Sequence, residues 1–401
     1  MNDSRVLSPE KFINMRTPEI ISFWGYPSEE HKVQTEDGYI LTNFRMPNPG
    51  GYPIIMFHGL SVSSDCWLLR NPKEDFVFHL WKKGYDVWLW NSRGNMYSRD
   101  HVNISFSDEK FFDFTFHEIG IYDTTATIDY VLNVTGKKKV ITIGHSMGTT
   151  NVLVAGSLRP EYQSKISLSI LWAQAAFLGH MHMKYMIDVF YSLFVRVQNN
   201  RPAKDFFVRG RMLDLVKASS CSKGGFLNPY CLLVMEEFSG SGSNQFNQDS
   251  VTKMMDRLPT GSSIWTVRQM IQNLRSSEFR PLNYGKKKNL ERYGVEKMPP
   301  YPIGNVTVPT AIYYTCCNDF LGSAKDSIIL KSKLPNVIRF YEIPNKKFNH
   351  GDYLWAKDSY DLLYKDVLNL IDKYSGLKAK SRRLHGSKRH SKVKRKLHGN
   401  S

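Results

Sequence analysis

The segment Gly144-His145-Ser146-Met147-Gly148 directly follows an apolar run at residues 140–143. A serine with a glycine two residues to either side fits a sharp turn from a strand into a helix, where the serine backbone is strained and a flanking Cβ has no room. The apolar run predicts a buried strand, and residues 149–158 predict a helix. Such a turn lifts the serine Oγ above the sheet edge and places the next N–H at a helix N-terminus, where it can stabilise an oxyanion.

Strand-like runs alternate with helical periodicity along most of the chain. The predicted strands lie at residues 53–57, 85–90, 166–172, 310–315 and 337–343, after a hairpin at 30–46. The predicted helices lie at residues 74–83, 116–132, 324–334 and 352–374. This alternation favours the α/β class, with a mostly parallel sheet and helices on both faces.

The alternation stops after about residue 175 and resumes near residue 301. Residues 176–300 are rich in Met, Phe, Lys and Gly and contain few strand candidates. We therefore predict a mostly helical cap over the C-terminal edge of the sheet, where ligands bind in open α/β folds. The predicted divisions are an N-terminal segment with the hairpin (1–50), a core (51–175 and 301–376), the cap (176–300) and a tail (377–401).

The charge of the chain is concentrated in its tail. The net charge is +17, and residues 377–401 contribute ten Lys and Arg and no acid, which leaves about +7 for the rest. Such a composition predicts a solvated, disordered tail, and attraction to anionic lipid surfaces or polyanions is the alternative. The tail has no aromatic residue, so specific nucleic-acid recognition by base stacking is not expected. No apolar run approaches the roughly 20 residues of a transmembrane segment.

Signals for the cellular compartment conflict. The N-terminus has no secretory signal pattern, which leaves a cytoplasmic location open. Cys221 and Cys231, however, bracket a short loop that a disulfide can close. Sequons for N-glycosylation begin at Asn2, Asn103, Asn133 and Asn305.

A nucleophilic serine needs a base that takes its proton and an acid that orients the base. Where the serine lies on such a turn, the chain order is serine, acid, histidine. His350 lies in a loop between a predicted strand and a predicted helix, and Asp319 lies in the loop after the preceding strand. Asp326 and Asp352 are rival acids, but both fall at predicted helix starts, where aspartate usually caps the helix. We therefore predict Ser146, Asp319 and His350 as a catalytic triad.

Two backbone N–H groups are candidates for an oxyanion hole. One belongs to Met147, and the other to Leu60, which follows His58-Gly59 in the loop after an early predicted strand. We expect His58 to shape this turn rather than to act as a base. The chemistry requires neither a cofactor nor a metal.

At these residues the chain resembles the acid lipase family, which includes gastric and lysosomal acid lipases. The resemblance covers about residues 20–374 and is weakest in the predicted cap. The matching segments are Trp24-Gly25-Tyr26-Pro27, Thr35-Glu36-Asp37-Gly38-Tyr39-Ile40-Leu41, His58-Gly59-Leu60, Gly84-Tyr85-Asp86-Val87-Trp88-Leu89, Asn91-Ser92-Arg93-Gly94-Asn95, Tyr122-Asp123, Asn318-Asp319 and Asn349-His350.

The resemblance implies an α/β-hydrolase core with a helical cap. It further implies hydrolysis of neutral lipid esters, triacylglycerols or sterol esters, at a lipid–water interface without a cofactor, and a secreted or lysosomal location. The alternatives are a carboxylesterase for small soluble esters and a lipid-binding protein that has lost turnover. The chain departs from the family at Met147, where Gln is typical, and at Cys316-Cys317, which replaces small residues and is expected to crowd the acid loop.

Overall fold

The computed structural model describes residues 6–189, 192, 239–246 and 248–376. Nine strands form one sheet in the order β1-β2-β4-β3-β6-β7-β8-β9, and β5 pairs with β2 off this path. The strands are β1 (Glu29–Gln34), β2 (Tyr39–Met46), β3 (Pro53–Phe57), β4 (Asp86–Leu89), β5 (Asp100–His101), β6 (Val140–His145), β7 (Ile166–Trp172), β8 (Thr310–Tyr314) and β9 (Val337–Glu342).

Every pairing along the sheet from β4 to β9 is parallel, so the predicted mostly parallel sheet is confirmed. The hairpin of β1 and β2 continues the same sheet, because β2 pairs antiparallel with β4. Strand β3 shows why the central strands are apolar throughout. Ile54 and Met56 enter the hydrophobic cluster on one face, and Ile55 and Phe57 enter the cluster on the other. Alternating side chains are thus buried on both sides of the sheet.

Helices cover these two faces. They are α1 (Pro9–Phe12), α2 (Thr17–Phe23), α3 (Phe76–Lys82), α4 (Phe116–Glu118), α5 (Thr125–Thr135), α6 (Met147–Leu158), α7 (Gln248–Arg257), α8 (Ile264–Ser276), α9 (Lys286–Tyr293), α10 (Ala324–Lys333), α11 (Asp352–Trp355) and α12 (Lys365–Ser375). Wider π-helical turns lie at Ile119–Thr124, leading into α5, and at Tyr360–Tyr364, leading into α12. Helix α2 and the two-residue strand β5 were not predicted from the sequence.

The sequence predicted one continuous helix at residues 352–374. This prediction was wrong, because the helix is interrupted after Trp355. Helix α11 ends at Trp355, and Ala356 has an extended backbone with ψ of 135°. The Ala356 carbonyl accepts a hydrogen bond from the buried Arg70 guanidinium at 2.5 Å. A contact with a residue far away in the sequence therefore stabilises the break, although the local pattern favours a helix.

Three of the family-like segments, at residues 35–41, 91–95 and 122–123, meet at the buried Arg93. Its guanidinium binds both oxygens of Asp37 at 2.5 and 2.8 Å, and its Nε donates to Asp123 at 2.7 Å. The guanidinium also lies 3.9 Å from the centre of the Tyr39 ring. Arg93 thereby ties the chain after β4 to the hairpin turn and to the helical segment before β6. Removal of one partner of such a buried pair typically costs about 3–5 kcal/mol.

The insertion between β7 and β8 is described only in part. Its described residues include a helical stretch at residues 184–189 and helices α7, α8 and α9, and they form no strand of the sheet. Within the part of the chain that the structure covers, no helix has the length and apolar character needed to cross a bilayer. The sequon asparagines Asn103, Asn133 and Asn305 are exposed. Asn2, the Cys221 and Cys231 pair and the basic tail lie outside the described residues.

Candidate active site

Ser146 lies on a sharp turn between β6 and α6. Its backbone has φ of 54° and ψ of −124°, a strained conformation for a residue with a side chain. The two flanking glycines are required by close approach rather than by positive φ. A Cβ on Gly144 would lie 2.7 Å from the carbonyl of Gly148, and a Cβ on Gly148 would collide with the carbonyl oxygen of Phe57. The turn therefore depends on backbone contact between β3, β6 and α6.

Backbone groups hold the serine in place from two sides. The Ser146 N–H donates to the carbonyl of Trp172, at the end of β7, at 3.0 Å. On the other side, a Cβ on Gly59 would lie 3.2 Å from the Ser146 Cβ and 3.6 Å from its Oγ, so the loop before Leu60 runs alongside the serine. Met147 is the first residue of α6, and its N–H therefore has no acceptor within the helix.

His350 and Asp319 are brought together from separate loops. The His350 Nδ1 lies 2.9 and 3.1 Å from the two carboxylate oxygens of Asp319, and both residues are buried. Since a carboxylate accepts hydrogen bonds, Nδ1 carries the imidazole proton and Nε2 keeps its lone pair. A histidine in this tautomer can accept a proton at Nε2.

The two rival acids have other contacts. Asp326 accepts hydrogen bonds from the backbone N–H of His180 at 2.9 Å and from its Nδ1 at 2.8 Å. Asp352 accepts the backbone N–H of Asn349 at 2.8 Å. Both aspartates therefore stabilise loop and helix geometry, as expected from their positions at helix starts.

His58 shapes the turn beside the serine, as expected. Its Nε2 accepts the Ser92 N–H at 3.2 Å, so its Nδ1 carries the proton and donates to the Gly59 carbonyl at 2.8 Å. Complete burial lowers the pKa of His58 to about 4. The ring is therefore a neutral structural group at ordinary pH.

His145 was not identified as a functional residue from the sequence. Its Nε2 donates to the backbone carbonyl of His350 at 3.0 Å, and the two rings lie 4.9 Å apart. Burial and the neighbouring His350 hold the pKa of His145 well below its usual range. This contact joins residues 205 positions apart in the sequence, so no local pattern signals it.

The loop before Asp319 contains a disulfide between the neighbouring residues Cys316 and Cys317. The sequence predicted crowding here but no bond between the two cysteines. Cys317 is exposed, whereas Cys66 is a buried free thiol. The cysteine chemistry beside the acid thus involves a pair other than Cys221 and Cys231, whose predicted bond falls outside the described residues and stays a prediction.

A buried apolar cluster lies next to the Gly59–Leu60 loop. Ile264, Val267 and Ile271 project from one side of α8 into a buried cluster, and Leu60 packs against them. The insertion thus covers the side of the site from which an oxyanion donor is expected.

The parallel sheet, the strained serine turn after β6, and an aspartate–histidine pair after β8 and β9 define an α/β-hydrolase. Comparison with known proteins agrees with this class. Residues 17–71 match the model described as "Partial alpha/beta-hydrolase lipase region", and residues 52–169 match the model of the alpha/beta hydrolase fold. A solved structure of a putative lipase from Acinetobacter baumannii has the same fold, with a TM-score of 0.53 and 16% identity over 92% of this chain and 99% of that one.

Full-length relatives narrow the class to a family. The chain is 35% identical to Lipase 1 of Drosophila melanogaster, over 88% of this chain and 79% of the relative. It is 33% identical to human Lipase member N, over 92% and 93%, and 33% identical to bovine gastric triacylglycerol lipase, over 89% and 91%. The chain therefore belongs to the acid lipase family, which confirms the resemblance, and it is a carboxylic ester hydrolase of the lipase type.

Proposed function

We propose that the protein hydrolyses esters of neutral lipids, either triacylglycerols or sterol esters, during lipid catabolism. The observation that carries this proposal is the hydrogen-bonded Asp319–His350 pair, which follows the Ser146 turn in the chain order typical of α/β-hydrolases. Gastric triacylglycerol lipases among the relatives support the choice of lipid esters.

In this mechanism the His350 Nε2 accepts the Ser146 proton while Oγ attacks the ester carbonyl, and Asp319 stabilises the imidazolium that forms. The N–H groups of Leu60 and Met147 stabilise the tetrahedral oxyanion, and loss of one such donor typically costs ~10²–10³ in rate. The intermediate collapses to an acyl-serine as His350 gives its proton to the departing alcohol. Water then attacks the acyl-serine, with His350 again as the base, and the fatty acid leaves.

The apolar cluster on α8 supports an acyl-binding role for the insertion. Leu60 joins the buried residues Ile264, Val267 and Ile271, so apolar side chains adjoin the proposed oxyanion hole. A fatty acyl chain placed here gains about 25 cal/mol for each Å² of apolar surface removed from water. We also propose that the cap extends from residue 176 to residue 300.

Two further parts of the proposal concern binding to lipid surfaces and the location of the protein. The basic tail, residues 377–401, would attract the protein to anionic lipid surfaces at low salt. A secreted or lysosomal location is supported by the gastric lipases among the relatives and by the exposed sequon asparagines.

A fluorophosphonate probe combined with an ester panel tests the proposal. We expect the probe to label Ser146, and we expect faster turnover of emulsified long-chain triacylglycerol or sterol ester than of a soluble acetate ester, measured from pH 4 to pH 8. Ser146→Ala should abolish both signals. Ser157→Ala is the matched control, because the Ser157 hydroxyl lies in the same helix and donates to the Val154 carbonyl.

Each alternative gives a different result. Preference for the soluble ester would replace the proposal with a carboxylesterase. Absence of labelling in the folded wild-type protein would favour a lipid-binding protein without turnover.

A further inference from the structure

The loop that contains Asp319 (the acid loop) and the loop that contains His350 (the base loop) both contact a third segment of the chain. We call residues 239–241 the return segment, because they follow the undescribed part of the insertion. An asparagine directly precedes each member of the pair, Asn318 before Asp319 and Asn349 before His350. Both asparagine side chains donate to backbone carbonyls of the return segment.

The base loop is bound to the return segment at two points. The Asn349 Nδ2 donates to the Gly240 carbonyl at 2.8 Å, and the His350 N–H donates to the Ser239 carbonyl at 3.0 Å. Asn349 is completely buried, and its Oδ1 accepts the N–H of Gly351 at 2.9 Å. These bonds fix the backbone on both sides of the imidazole.

The acid loop is bound to the same segment through Asn318. Its Nδ2 donates to the Ser241 carbonyl at 3.1 Å and to the Lys347 carbonyl at 2.6 Å. Carbonyl oxygens only accept hydrogen bonds, so the amide nitrogen must face both of them. Asn318 therefore joins the acid loop to the return segment and also to the base loop.

Gly240 fits between the two loops only because it lacks a side chain. Its φ is 124°, and a Cβ there would collide with the Asn318 carbonyl oxygen and lie 2.8 Å from the Asn349 Cβ. Gly242 also has a positive φ, 68°, but nothing lies within 4 Å of a Cβ built on it. The close approach is thus specific to position 240.

We propose that the return segment sets the separation of the Asp319–His350 pair, and that Asn318, Asn349 and Gly240 are positioning residues. The proposal rests on the function proposed above. The pair joins two loops that leave the neighbouring strands β8 and β9, and a misplacement of about 1 Å can cost 10²-fold in rate. The insertion therefore contributes to proton transfer as well as to substrate binding.

Gly240→Ala tests the proposal, with Gly242→Ala as the matched control. We expect Gly240→Ala to lower the rate constant for fluorophosphonate labelling at least about tenfold. Its pH profile should differ from that of the wild type, because the Nδ1–carboxylate distances of 2.9 and 3.1 Å would change. Gly242→Ala should keep the wild-type profile. Equal profiles for the two variants at matched fractions of folded protein would overturn the proposal.

Asn318→Ala provides a second test if Gly240→Ala does not fold. Asn336→Ala is its control, since the Asn336 side chain donates to the Thr307 carbonyl at 2.9 Å elsewhere on the surface. We expect Asn318→Ala to label about fivefold or more slowly than Asn336→Ala, with melting temperatures within a few degrees. Equal labelling rates would contradict the positioning role.

A spectroscopic signal separates this proposal from the proposed function. The proton on His350 Nδ1, held between nitrogen and carboxylate, should give a downfield ¹H resonance in the wild type. We expect it to weaken or shift in Gly240→Ala and Asn318→Ala and to persist in both controls. An unchanged resonance in these variants would overturn the positioning role, whereas unlabelled wild-type protein with normal resonances would overturn only the proposed function.

Discussion

The serine turn and the acid–base pair are built in different ways. The turn lies among central strands, where backbone atoms of β3, β6 and β7 approach one another closely. The pair follows β8 and β9, at the edge of the sheet, and no residue of β9 is fully buried. Its geometry depends on side-chain amides and on a segment from the insertion. The proposed nucleophile is therefore fixed by packing, and the proposed base is fixed by hydrogen bonds between distant residues.

Asp319→Asn should have the largest effect on catalysis. A neutral amide cannot stabilise the imidazolium that forms when His350 takes the serine proton, so we expect kcat to fall on the order of 10⁴-fold with the fold retained. Initial rates on an emulsified ester and a thermal melt measure this. Asp326→Asn is the control, because Asp326 binds His180 instead. A similar loss in both variants would show that the pair is not the catalytic one.

Gly148→Ala tests the packing of the serine turn. The added Cβ would press against the Phe57 carbonyl, and both groups belong to buried backbone that has no room to shift. We expect a loss of about 3 kcal/mol in the free energy of unfolding, as for other overpacked cores. Urea denaturation measures it. Gly304→Ala is the control, because a Cβ there meets nothing within 4 Å. Equal stability of the two variants would mean that the turn is less tightly packed than the distances indicate.

The same contrast explains what the sequence could predict. Short, local patterns predict the serine turn and the strands beside it. They also place an aspartate and then a histidine in loops that follow predicted strands. The hydrogen bond from His145 to the His350 carbonyl, the return segment and the break at Ala356 join distant residues. The bond between Cys316 and Cys317 involves neighbours, but the sequence alone does not distinguish a disulfide from two thiols.

The protonation of a buried histidine gives a further test of the region beside the serine turn. His58, beside the turn, is buried neutral with a pKa lowered to about 4. Its unfolded form binds a proton below about pH 6.5, so its contribution to stability is present above that pH and is lost as the pH falls toward 4. The difference in pKa corresponds to roughly 3 kcal/mol, at about 1.4 kcal/mol per unit.

The comparison of wild type with His58→Asn isolates this effect. Urea denaturation at pH 7 and pH 4 gives the free energy of unfolding of both proteins. We expect the advantage of the wild type to shrink by roughly 3 kcal/mol on acidification, since the amide introduced in the variant does not titrate. A constant difference between the two proteins would mean that His58 has the same pKa in the folded and unfolded states.

Met147→Gln should have the smallest effect on catalysis. It tests whether residue 147 acts on the substrate through its backbone N–H alone. Met147 is the residue where the family typically has Gln, and its side chain is buried in the hydrophobic cluster with Phe57. The N–H proposed as an oxyanion donor is the same in both proteins, so kcat/KM should stay within about threefold of wild type. Burial of an amide among apolar groups should cost about 1–3 kcal/mol in stability. Steady-state kinetics and urea denaturation separate the two effects. A tenfold change in kcat/KM without loss of stability would show that this side chain, and not only its backbone, acts on the substrate.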